Sequence, residues 1–220
     1  MLKFLRISCI ILLFLFFGVL VYGKLNIKHL DYDEYINNKY FPSSYSIALG
    51  YKLDNYLIDD ESINNLDDLM KASKYVLIVD VYDKPIFKGK AIINNCNIKE
   101  VLKGDFKVND NIKIYDLISF YGMNSSDYLG GTTPLRVGEK YAVFITDDIN
   151  SSEDDIYAFS SVKYPHFNLS EDVSILENYN NNKALTVLEA SYYDYIFYEE
   201  FENDGKFTKI KEELLNYISK

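Results

Sequence analysis

Apolar and polar positions alternate most densely between Tyr75 and Thr146. Tyr75-Val-Leu-Ile-Val-Asp-Val-Tyr is rich in β-branched and aromatic residues, and Lys84-Pro85 reads as its end. In Ala91–Leu102 the even positions Ile92, Cys96, Ile98 and Leu102 form one apolar stripe at period two. Lys103-Gly104-Asp105 makes a turn, after which Asn111-Ile-Lys-Ile-Tyr alternates again with Ile112 and Ile114 on one face. Tyr141-Ala-Val-Phe-Ile is apolar at every position, the mark of a central strand buried on both faces. Four strands punctuated by turns predict a small curved sheet or barrel. Ile156-Tyr-Ala-Phe-Ser-Ser-Val is the candidate last strand that closes it, and Tyr164-Pro165 its end.

The pattern changes on either side of that core. Ile63, Leu66, Leu69 and Met70 lie three or four apart, which predicts a short amphipathic helix with Asn65 as N-cap and Asp68 in its first turn. Downstream, Asp172–Glu177 and Lys183–Glu202 read as helical, the second with Leu185, Leu188, Tyr192, Tyr195 and Ile196 on one face; its aromatic density leaves a strand open. Thr208–Ile218 is an amphipathic helix with Ile210, Leu214, Tyr217 and Ile218 on one side. Upstream, Lys24–Asp60 reads as a stalk leading into the domain, with a turn at Phe41-Pro42-Ser43-Ser44 and a weak strand at Tyr45–Tyr51. Asp59-Asp60-Glu61 lacks the spacing and turn glycine of a calcium loop and reads as a solvated acidic turn.

The N-terminus is of another kind. Ile7–Tyr22 carries no charge, and as a helix it reaches about 24 Å, a little short of the roughly 30 Å hydrocarbon core. Leu2, Leu5 and Leu25 extend it. With Lys3 and Arg6 retained in the cytoplasm, the expectation is a single-pass cell-membrane anchor, represented by Ile7, Leu12, Phe16 and Val21, with the C-terminal domain outside. Cleavage after Gly23, at Val21-Tyr22-Gly23, gives a secreted protein instead.

Charge and composition narrow the function. The net charge is −10, and Lys3 and Arg6 are the only charges before Lys24, so the remainder is more acidic still. Such a surface repels phosphate backbones, which excludes a nucleic-acid partner. Cys9 and Cys96 give no disulfide framework; strand parity turns Cys96 inward as an inert small hydrophobe. His29 and His166 have no metal-ligand spacing, and phosphate loops, dinucleotide fingerprints and serine elbows are missing from the sequence. No cofactor, metal or catalytic residue is therefore expected, and the chain is not read as an enzyme. The candidate ligand-binding stretch is the loop Asp116–Thr133, the longest irregular piece of the core. Its Phe120, Tyr121 and Tyr128 stand among glycines and hydroxyls.

Leu66-Asp-Asp-Leu-Met-Lys-Ala-Ser-Lys-Tyr-Val-Leu-Ile-Val-Asp-Val, then Ile98-Lys-Glu-Val-Leu-Lys-Gly, then Leu135-Arg-Val-Gly-Glu-Lys-Tyr-Ala-Val-Phe-Ile resembles a domain of secreted or anchored Gram-positive proteins. Its layout is similar to the OB-like barrel of the netrin/tissue-inhibitor type and covers about residues 62–149. The resemblance implies a fold and a location; the disulfides and N-terminal cysteine of the inhibitors are missing here, so inhibition is not implied. The expected fold is α+β: an N-terminal transmembrane helix (1–23), a stalk (24–61), a small OB-like antiparallel β-barrel preceded by a short helix (62–165), and C-terminal helices (166–220). The expected function is that of a membrane-tethered extracytoplasmic binding or interaction protein whose partner is a surface protein or glycan. The alternatives are a secreted glycan- or peptide-binding barrel and, further off, a cell-wall hydrolase using paired carboxylates.

Overall fold

The computed structural model describes residues 32–37, 39–43, 60–88, 91–120, 125–129, 133–146, 156–169, 174–179, 185–198 and 205–220. The anchor positions Ile7, Leu12, Phe16 and Val21 lie outside them, as do His29, Asp59 and Tyr45–Tyr51. Among the described residues no helix is long and apolar enough to cross a membrane. In chain order the elements are α1 (Tyr32–Ile36), β1 (Lys39–Ser43), a 3₁₀ turn (Asp60–Ser62), α2 (Leu66–Ala72), β2 (Tyr75–Lys88), β3 (Ala91–Lys103) and β4 (Asn111–Tyr115). There follow β5 (Ile118–Phe120), β6 (Ser125–Leu129), β7 (Lys140–Thr146), β8 (Ile156–Phe159), β9 (His166–Asn168), β10 (Ile175–Tyr179), α3 (Val187–Ala190), β11 (Tyr195–Tyr198) and α4 (Lys206–Ile218).

Five strands close on themselves in the order β2-β3-β4-β8-β7 and back to β2, an order compatible with an OB-like barrel. The fold class is α+β, as the sequence indicates, but the barrel is mixed rather than antiparallel. A closed ring with an odd number of strands cannot alternate direction throughout. The odd pair here is β4 with β8, which run parallel through Lys113↔Ile156 and Ile114↔Tyr157. β2 also outruns its expected end at Lys84-Pro85 and continues to Lys88. Proline has no N–H for the ladder, and the register shift between Asp83 and Ile86 takes it up.

The stripe on β3 breaks where the chain bulges. Val79 pairs with Ile98 and Ile78 with Glu100, leaving Lys99 as an extra residue. Parity then flips: Val101, not Leu102, meets the barrel interior, and Leu102 packs on the outer core. Just beyond, Gly104 holds φ at +115°, and a Cβ there would lie 2.7 Å from the Tyr75 ring, so the turn needs glycine twice over.

Two cores share β7. Tyr141, Val143 and Ile145 face the barrel interior with Leu77, Val79, Cys96, Ile98, Ile112, Ile114 and Phe159. Ala142 and Phe144 face outward onto a second core built with Leu66 and Leu69 of α2 and Phe207, Ile210 and Leu214 of α4. All five residues Tyr141–Ile145 are buried, as a central strand requires. One edge of β7 pairs with β2; the other is divided, its N-terminal half pairing with β9 and its C-terminal end with β8.

The helix at Leu66–Ala72 forms as its spacing predicts, with the Asn65 side chain accepting from Asp68 N at 2.9 Å. Lys103 Nζ caps its other end, donating to the carbonyls of Met70 (2.8 Å) and Ser73 (2.6 Å). Asp60 is not a solvated turn residue. It is buried, accepts from Ser161 Oγ at 2.6 Å and Lys163 N at 3.2 Å, and so pins the connection from β8 to β9.

The C-terminal part is less helical than the spacing of its apolar positions suggests, and the strand that its aromatic density left open is what forms at Tyr195–Tyr198. Ile175–Tyr179 and Tyr195–Tyr198 are parallel strands, and among the described residues the only helix between them is the short α3, opened by a capping box of Thr186 and Glu189. In α4 the buried positions are Phe207, Ile210, Lys211 and Leu214, while Tyr217 is exposed. The expected turn at Phe41–Ser44 is likewise strand as far as Ser43: β1 pairs parallel with β6. The loop Asp116–Thr133 is not irregular, because β5 and β6 form a hairpin within it, and β1 makes this a three-stranded sheet in the order β1-β6-β5.

Candidate functional site

The inserted hairpin leaves the barrel at the end of β4 and returns at Thr133, and the side chains at these two roots define the site. The inward stripe of β3 runs Ile92, Asn94, Cys96, Ile98, and that of β4 runs Ile112, Ile114 and on to Asp116. The first polar members of the two stripes meet: Asn94 Nδ2 donates to Asp116 Oδ2 at 3.2 Å. Asp116 also accepts from its neighbour Leu117 N at 2.8 Å and from the backbone N–H of Leu135. One carboxylate thus holds both the outgoing and the returning strand of the insertion. Burial pushes it up to about 6, against the lowering effect of these three donors.

The returning segment Thr133–Leu135 is buried throughout. Its other fastening is His166, buried at the start of β9. His166 Nε2 lies 3.0 Å from the Thr133 carbonyl oxygen. A carbonyl only accepts, so Nε2 carries the hydrogen and Nδ1 is bare in the neutral ring. The ring packs edge-on against Tyr141 (5.4 Å) and tilted against Phe159 (5.5 Å). Burial in this aromatic wall lowers it to about 4, so it is neutral at pH 7.

Beyond Thr133 the polar connections continue into the second core. Lys211 Nζ is fully buried and sits 3.0 Å from both carboxylate oxygens of Asp194, which also accepts from Ser174 N at 2.7 Å. This ion pair joins α4 to the turn before β11.

Of the candidate ligand residues, Phe120 belongs to β5 opposite Ser126, and Tyr128 to β6 opposite Ile118 on one side and Pro42 on the other. Their side chains, and Tyr121 altogether, lie outside the described residues. Cys96 points into the barrel and is fully buried, and burial raises its thiol well above the ordinary range. Among the described residues no group of three or more His, Cys, Asp or Glu is placed to hold a metal. Sequence reading missed Asn94, Asp116, Thr133 and His166. The signal was present for two of them: a polar residue at an inward-facing strand position requires a partner, and Asn94 and Asp116 each occupy one.

No protein-family profile matches this chain, and no curated protein sequence does so either.

Proposed function

We propose that this chain is a membrane-tethered extracytoplasmic binding protein that recognises a surface protein or glycan and performs no chemistry on it. The observation that carries the reading is the insertion of the β5–β6 hairpin between the third and fourth strands of a closed barrel, where β1, from ahead of the barrel, completes it as a three-stranded sheet. Binding residues recur on insertions displayed by a rigid scaffold, and small closed barrels serve this purpose across unrelated ligands. The clamp at Asp116 and His166 fixes the roots of the insertion, which supports presentation rather than catalysis. The strand order is compatible with an OB-like barrel, which supports the netrin/tissue-inhibitor-like layout that the sequence resemblance implies, and the resemblance to anchored Gram-positive proteins supports the location. The uncharged run Ile7–Tyr22 supports the tether, and the net charge of −10 supports a partner other than nucleic acid.

Two measurements test this. After high-salt washing the full-length protein stays with membranes, because apolar burial is not screened by salt; a main species beginning at Lys24 in the medium overturns the tether. Arrays of cell-wall glycans and surface proteins probed with the wild type and with Phe120→Ala/Tyr128→Ala read the binding. Loss of signal in the variant supports the inserted sheet as the binding element, and an unchanged signal overturns it.

A further inference from the structure

We infer that residues 32–43 act as a strap whose docking on the tip of the β2–β3 hairpin keeps the inserted β5–β6 hairpin folded. The inference does not depend on what that hairpin binds. It starts from topology: among the described residues the sheet β1-β6-β5 shares no ladder with the barrel sheet, and β6 is its middle strand. Without β1, what remains is a two-stranded hairpin of three to five residues a side, and such hairpins are marginal in water. β1 supplies the third strand through five consecutive register pairs, from Lys39↔Ser125 to Ser43↔Leu129.

β1 is in turn positioned by α1, which ends three residues earlier. Tyr35 of α1 is buried and packs edge-on against Phe87 of β2, ring centroids 5.4 Å apart. The Lys84 ammonium lies 4.8 Å from the centre of the Tyr32 ring, a second hold on the same helix. A physical chain therefore runs from the barrel hairpin at Phe87 through Tyr35 and β1 to β6 and β5. Because folding of the hairpin and docking of the strap are linked, each stabilises the other.

Amide hydrogen exchange on the full-length protein in detergent micelles tests the inference. Tyr35→Ala and Phe87→Ala should each raise exchange in 118–120 and 125–129 by about tenfold, the scale of one lost edge-to-face aromatic contact with its burial. Amides of Val76–Val79 and Tyr141–Ile145 should hold their wild-type rates. The double variant should exchange no faster than either single one, since both remove the same link. Exchange in the hairpin within threefold of wild type in both single variants overturns the strap. A rise shared equally by the barrel strands overturns it too, since residues 32–43 would then support the barrel and not the hairpin.

Discussion

The clamp at the root of the insertion contains two groups whose burial drives their titration toward each other. Replacing either one should tilt the pH dependence of stability in a direction set by which is lost. His166 titrates near 4 in the folded protein and near 6.5 when unfolded. Its folded value is lowered, so its contribution is intact above pH 6.5 and is lost as pH falls toward 4. Between pH 7 and pH 5 that loss amounts to about 2 kcal/mol. Asp116 titrates near 6 folded and near 3.8 unfolded. Its folded value is raised, so its contribution is intact below 3.8 and is lost as pH rises through 6. Over the same fall from pH 7 to pH 5 it regains about 1 kcal/mol. The two slopes oppose each other in the wild type, and Asp116 offsets about half of the loss from His166.

Urea unfolding followed by circular dichroism at pH 7 and pH 5, on the Lys24–Lys220 form, separates them. His166→Gln retains a donor for the Thr133 carbonyl but does not titrate; relative to wild type it should gain about 2 kcal/mol on acidification. Asp116→Asn should instead lose about 1 kcal/mol relative to wild type over the same change. Taking differences from wild type removes the contributions of all other carboxyls, including the raised Asp60. If His166→Gln tracks wild type between the two pH values, the imidazole is in contact with water in the folded state and the clamp does not exist.

Three further outcomes follow from the packing. Val143→Asp and Phe144→Asp should each prevent folding, because each puts an unpaired carboxylate into one of the two cores that β7 serves, at several kcal/mol against a total of about 5–15; a variant melting within a few degrees of wild type refutes the shared-core description. Cys96 should resist alkylation in the native protein and react once denatured, and fast native labelling would place it outside the barrel. Lys211→Met strands the Asp194 carboxylate in the interior and should cost about 3–5 kcal/mol, whereas Lys211→Met/Asp194→Leu should cost less than the two single changes added together. Strict additivity in chemical denaturation would show that the pair is not coupled.

The parts of this fold that sequence reveals are those whose reason is local. The Asn65 cap, the spacing of Leu66 and Leu69, and the unbroken apolar run of β7 each imply their structure within a few residues. What sequence hides depends on partners far along the chain. β1 is a strand because β6 lies beside it more than eighty positions later, and no alternation within Lys39–Ser43 announces that. β10 and β11 fall in stretches that read as helix, Asp172–Glu177 and Lys183–Glu202, and become strands by pairing with each other across α3. The bulge at Lys99 shows the same limit on a smaller scale: period two is a property of a regular strand, and one inserted residue reassigns Val101 and Leu102 to opposite cores. At the candidate site, Asp116 is one of 33 acids and His166 one of two histidines until β3, β4 and β9 bring them to the same segment.

Barrel closure also sets a timetable for synthesis. β2 and β3 form a hairpin as soon as they emerge, but β2 finds its second neighbour only when Lys140–Thr146 has been made. At about 5–20 residues per second, the roughly fifty residues separating β2 from β7 take about 3–10 s to translate. Through that interval the second edge of β2 stands open, with Val76, Leu77, Ile78 and Val79 unburied, a template for any other extended chain. The nascent protein is most in need of a chaperone during those seconds, and a ribosomal pause placed between Tyr115 and Lys140 would lengthen its exposure without changing a single contact of the finished fold.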